Sequence, residues 1–192
     1  CINHLPNMLI LPGSNALSVF RTQRLLSQLQ AVAPAITAVQ GRFYHFIDTS
    51  APLSAQDTER LSAMLTYGEP AAAGQDGATE EFFVIPRLGT ISPWASKATD
   101  IAHNCGMAHV HRIERGIAYT VTLKSGILGI GGAKKLGADQ AIAVAGLLHD
   151  RMTEGVLRNA DDAANLVSAL EARPLESIDV LGAGKAALEK AN

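Results

Sequence analysis

The chain is 192 residues long, 47% hydrophobic and 18% charged, enough apolar material for one well-buried domain, which excludes a fibre or a disordered tail. A net charge of −2 leaves no surplus of Lys and Arg to neutralise a phosphate backbone, which argues against nucleic acid as a principal partner. Two cysteines, Cys1 and Cys105, make neither a disulfide framework nor a four-ligand zinc site, and they fit a reducing, cytoplasmic setting.

In chain order, residues 1–7 are expected to lie outside the folded unit, because Met8 directly precedes the first strand-like run, Leu9 to Leu11. That apolar opening is too short for a signal segment or a membrane span, so no membrane partner is expected. A helix is predicted from Ser14, its N-cap, to Val32, with Val19, Leu26, Leu29 and Ala33 on one face and Pro34 ending it. Ile36 to Asp48, rich in β-branched and aromatic residues, reads as a long strand. Ser54 with Asp57 three positions on caps a second helix carrying Leu61, Met64 and Leu65, and Gly68 to Gly77 reads as a linker.

The same order then recurs. Phe82 to Ile85 is a short strand, Ser96 to Asn104 a helix with Ala98, Ile101, Ala102 and Cys105 on one stripe, and Val110 to Thr122 a long strand. In that strand Ile113, Ile117, Tyr119 and Val121 alternate with Arg112, Glu114, Gly116, Ala118 and Thr120, the period of a strand with one buried face. Shifting the chain by 74 positions lays Ile36 on Val110, Val39 on Ile113, Phe43 on Ile117 and Ile47 on Val121, and Leu9 to Leu11 on Phe83 to Ile85. A second helix, Gly137 to Met152, completes the second copy after a glycine-rich insertion of about ten residues. The expected fold is α+β: two strand-helix-strand-helix repeats related by a pseudo-twofold axis, with a mainly antiparallel sheet, followed by a short helical linker segment. The repeats span about 8–70 and 81–155 within a domain of 8–155. From Asp161 the character changes, and 156–192 reads as the start of a linker domain belonging to a longer chain, since the helix after Lys185 barely starts before Asn192.

Most motifs have ordinary readings. Cys105 beside His103 and Asn104 imitates a thiol and its base, but adjacent helical residues diverge by about 100°, so Cys105 is expected as a buried structural thiol. His109 and His111, with Asp100 and His103, have no metal-site spacing, and no metal is expected. His45 takes the place of Tyr119 in the other repeat and reads as a packed core residue, while His149 begins a polar helix end. Gly129 to Lys135 imitates a phosphate loop but lacks the Ser or Thr after its lysine, so a surface loop is expected there in preference to a kinase-like site.

One stretch, Arg87 to Gly106, is chemically denser than the rest. Ser92 before Pro93, or Ser96 with Thr99 and Asp100, supplies ordinary helix capping. Capping leaves unexplained why Arg87, Trp94 and Lys97 gather beside helix N–H groups, an arrangement suited to an anion or to another domain. The candidate binding or interface residues are therefore Arg87, Thr90, Ser92, Trp94, Ser96 and Lys97, with no catalytic residue among them.

Gly89 to Trp94 and Ser96 to Gly106, followed by Arg112 to Gly116, His149 to Met152 and Asp179 to Gly182, closely resemble the amino-terminal region of the large single-chain bacterial phosphoribosylformylglycinamidine synthases. The resemblance begins near Gly13-Ser14 and covers nearly all of the chain after Met8; Gly129 to Gly137 departs from it. It implies a parent ligase of purine synthesis that uses ATP, Mg and glutamine-derived ammonia to make the amidine. It also implies a front end built like a fused dimer of the small S subunit, in agreement with the 74-position repeat. The glutaminase cysteine and the ATP and metal sites lie downstream, so this stretch is expected to hold no cofactor and to dock the synthetase and glutaminase domains of its own chain beside the ammonia path. The alternative is a free-standing regulatory module binding a small phosphate ligand at the helix after Ser92.

Overall fold

The computed structural model describes residues 7–71, 77–124, 135–159, 162 and 177–191. The loop expected at Gly129 to Lys135, except Lys135 itself, the middle of the Gly68 to Gly77 linker and most of the segment from Asp161 to 176 fall outside them.

The elements are β1 (Asn7–Asn15), α1 (Val19–Val32), β2 (Ile36–Thr49), α2 (Ala55–Met64), β3 (Ala78–Pro86), α3 (Pro93–Asn104), β4 (Val110–Leu123), α4 (Ala138–Leu148), β5 (Glu154–Leu157) and α5 (Val180–Ala191). The strands form one antiparallel sheet in the order β1-β2-β4-β3-β5. This is the expected α+β architecture, and the two copies join by pairing their long strands. Phe43 pairs with Ile117, and the two are 74 positions apart, so the approximate dyad passes through the pair at the centre of the sheet.

The symmetry extends to the helix starts. Ser18 caps α1 by accepting from the Arg21 N–H, and Ser92, 74 positions on, caps α3 by accepting from the Ala95 N–H. Ser54 and Gly137 cap α2 and α4, 83 positions apart, and the buried Leu61 and Leu65 of the α2 segment correspond at that same distance to Val144 and Leu148. A net insertion of nine residues before α4 accounts for the difference between these offsets.

Two expectations at the edges are corrected. Ser14 is not a helix cap: it lies buried in β1, and the helix starts four residues later because Ser18 is the side chain placed to accept an amide. The outer strands also do not overlay at 74 positions. Leu9 pairs with Ile47, and the residue pairing with the equivalent Val121 is Glu80, so β1 and β3 correspond at 71. That odd change exchanges the faces: Phe82 and Val84 point toward the helices while Phe83 and Ile85 point away. β3 is therefore longer than its apolar run, and β5, unmarked by any strong apolar pattern, pairs with its outer edge.

The helical face of the sheet carries two matching cores. Leu29, Ile36, Val39, Phe82, Val121, Val144 and Leu148 pack beneath α1 and α4; Ile47, Leu61, Leu65, Ala98, Ala102, Met107, Val110 and Ile113 pack beneath α2 and α3. The opposite face is not the solvated surface that the alternation in β4 predicts. It holds a third cluster around Phe46 and Ile85, and Glu114 and Ala118 of β4 are buried there too. No helix among the described residues is long and apolar enough to cross a membrane.

Gly116 marks the tightest approach in this sheet. A Cβ there would sit 2.7 Å from the Val84 carbonyl oxygen, 3.1 Å from Phe46 and 3.2 Å from Ile85, where backbone has no freedom to yield. Gly116→Ala should cost about 1–3 kcal/mol and lower the melting midpoint by roughly 2–4 °C per kcal/mol. Thermal unfolding followed by circular dichroism measures it.

Candidate functional site

The dense segment begins where β3 ends. The Arg87 N–H donates to the Thr153 carbonyl, Gly89 turns the chain at φ 79°, and the Thr90 N–H and hydroxyl both donate to the Arg87 carbonyl. Ser92 then makes three bonds at once. Its hydroxyl accepts from the Ala95 N–H at 3.0 Å and donates to Glu114 Oε2 at 2.8 Å, while its own N–H donates to Glu114 Oε1 at 3.1 Å. Arg112 completes the clamp, with Nε 3.1 Å and Nη2 2.5 Å from Glu114 Oε1 and a further bond from Nη2 to the Thr90 carbonyl. A fully buried carboxylate thus ties the loop before α3 to β4.

On the helical face, Trp94 meets a second network. Its ring stacks on His45 with centroids 5.7 Å apart and planes at 30°. The Arg115 guanidinium lies between two aromatic faces, 4.4 Å from the Phe43 centroid and 4.7 Å from that of Trp94. Arg115 Nη1 donates to the Tyr67 hydroxyl at 3.2 Å, and that hydroxyl lies 2.9 Å from His45 Nε2. Because the guanidinium can only donate, Tyr67 accepts from it and keeps its own proton free for Nε2 of a neutral His45. His45 Nδ1 is buried and makes no hydrogen bond among the described residues.

Electrostatics agree with that assignment. Burial, then the neighbouring Arg115 charge, lower the His45 pKa from 6.5 to about 4 against the opposing pull of the Leu11 backbone. Gly13 makes room for the ring, since a Cβ there would meet His45 Cε1 at 2.7 Å.

The expected site residues divide between these two networks and the surface. Thr90 and Ser92 belong to the Glu114 clamp, and Ser92 acts as the α3 cap, four residues earlier than a start at Ser96. Trp94 is half-buried against His45 and Arg115, and Lys97, one turn on, is exposed beside it. Together with Met64, Leu65, Tyr67, Ala98 and Ile101 they line a cleft of about 200 Å³ between α2 and α3. The Arg87 and Ser96 side chains stand exposed.

Glu114, Arg112, Arg115 and Tyr67 escape a reading of composition, whereas His45 is the packed core residue expected. The available signal was Arg112 and Glu114 two apart on one strand face, an opposite-charge pair that alternation alone reads as solvated. Cys105 is a correction of the other kind. The buried stripe of α3 is Ala95, Ala98 and Ala102, the helix ends at Asn104, and Cys105 at the C-cap is exposed; Ile101 is 44% exposed. The histidines disperse: His103 bonds the Val110 carbonyl, His109 faces Asp57 and His111 faces Asp48, both at 3.7 Å.

Residues 42–167 match the family described as the amino-terminal region of formylglycinamide ribonucleotide amidotransferase, well over half of the chain. The chain belongs to that family. Its parent is an amidotransferase of purine synthesis, of which this domain forms the amino-terminal part. As the front of a multi-domain enzyme, the formylglycinamide ribonucleotide amidotransferase domain has its partners within the same chain.

Proposed function

We propose that this domain is the non-catalytic scaffold of an ATP- and glutamine-dependent ligase that converts formylglycinamide ribonucleotide to the amidine. It docks the synthetase and glutaminase domains and helps to enclose the ammonia path. The family match carries this reading, and the exposed Arg87 before α3 and Lys97 and Ile101 along it give the docking face its chemistry. Enclosure matters because ammonia released into water takes up a proton and ceases to be a nucleophile, so a seam that leaks lowers product yield without touching either reaction centre. ATP and Mg serve the synthetase portion of the parent, and the enzyme works in the cytoplasm. Residues 8–155 form the docking domain in this account, and 156–192 open the linker to the next one.

The experiment is kinetic. Arg87→Ala combined with Lys97→Ala in the full-length enzyme should lower glutamine-dependent kcat/KM about tenfold, a loss of roughly 1.4 kcal/mol at the transition state. The melting midpoint should not move, since both side chains are exposed. Unchanged kinetics would reject the docking face.

A further inference from the structure

The cleft between α2 and α3 is lined by Met64, the buried Leu65 and Ala98, Tyr67 and Trp94, with Ile101 and Lys97 exposed at its open side. Its volume, about 200 Å³, decides what it takes. Small-molecule sites run from about 300 Å³ upward, whereas a cavity of about 150 Å³ already holds a benzene ring, so this space suits one side chain and is too small for a nucleotide. Ile101 is 44% exposed, an apolar residue at the open side of an apolar cleft. Charge adds a second constraint. Among the described residues, neither Lys97 nor Arg115 behind the Trp94 and Tyr67 wall has a carboxylate within ion-pair distance, and His45 beside them is neutral. Neither of two larger grooves makes such a demand: one of about 390 Å³ carries both signs in Arg42 and Glu81, and one of about 660 Å³ along α2 has Glu59 as its charged side chain and no cation in its lining.

We infer that this cleft is a socket for one bulky apolar side chain, carried next to a carboxylate, on the catalytic portion of the parent enzyme. The inference rests on the docking role proposed above and names the contact that performs it. The apolar side chain displaces water from the cleft, and the adjacent carboxylate meets the Lys97 ammonium at the mouth, where Arg115 reinforces the positive field. A rim charge of this sort steers the approach and fixes the register while the buried side chain holds the complex. Lys97 is thus a specificity residue of the interface, and Trp94, held in place by His45 and Arg115, is the wall that shapes it.

Site-specific photocrosslinking in the full-length enzyme tests it, with benzoylphenylalanine replacing Ile101 and, separately, the exposed Met152. From position 101 the expected product joins a peptide outside this chain that has Asp or Glu within two residues of Leu, Ile, Met or Phe. Lys97→Glu should cut that product at least threefold, and Lys97→Arg should leave it. A product confined to this chain, or a peptide lacking the carboxylate, overturns the socket. If position 152 reaches the catalytic portion and position 101 does not, the docking role stands and the socket fails; if neither does, both fail.

Discussion

Glu114→Ala should destabilise the domain by about 3–5 kcal/mol, the usual cost of removing one partner from a buried ion pair. The carboxylate is wholly buried and accepts from Arg112, the Ser92 N–H and the Ser92 hydroxyl, so its loss strands a guanidinium and two further donors. The damage should centre on the α3 start, because Ser92 loses the group that orients its cap. A midpoint lower by roughly 6–20 °C follows for a chain of this size. Replacing Arg112 and Glu114 together by Met should recover a good part of the loss, since the charge left without a partner is then gone. Equal melting curves for the native protein and Glu114→Ala would contradict the clamp.

Acid should act through His45. Its pKa is about 4 in the fold and near 6.5 in the unfolded chain, so the unfolded state takes up the proton first as pH falls. The stabilisation is fully present above pH 6.5, declines through the interval to pH 4, and is lost below it, about 3 kcal/mol in total for a difference of this size. Protonation would place a cation beside Arg115 and oblige both ring nitrogens to donate, in a site where Nδ1 has no partner among the described residues. Urea unfolding of the native protein and of His45→Leu, compared from pH 7 to pH 4, isolates the effect from the carboxylates. The gap between the two curves should narrow across that interval; a constant gap would show that His45 does not titrate there.

The repeat was legible because the central strands must match residue for residue where they pair about the dyad. Phe43 pairs with its own equivalent, Ile117, while Val39 and Ile47 pair with each other's equivalents, Val121 and Ile113, and any slip would turn apolar side chains to the wrong face. β1 and β3 lie one strand out from the dyad, where the two copies do not pair with each other, and there the reading drifted by three residues. The site was legible only in part. Hydroxyls, Trp94 and Lys97 announce themselves by composition, but the groups that hold them, Glu114 and Arg115, come from β4 across more than twenty positions of chain. Alternation put Glu114 in solvent because period alone says which residues share a face and nothing about what the β3–α3 loop lays over it. Cys105 was misplaced because helical periodicity was carried one residue beyond a helix that had already ended.

Chemical footprinting most directly tests whether the face from Arg87 to Ile101 is covered by the rest of the enzyme. Acetylation of Lys97 and hydroxyl-radical oxidation of Trp94 and Ile101 would be timed in the isolated domain and in the full-length protein, with exposed Lys185 as reference. Docking predicts rates at least fivefold slower in the full-length protein at all three positions and unchanged at Lys185. Equal rates at Trp94, Lys97 and Ile101 in the two forms would contradict it.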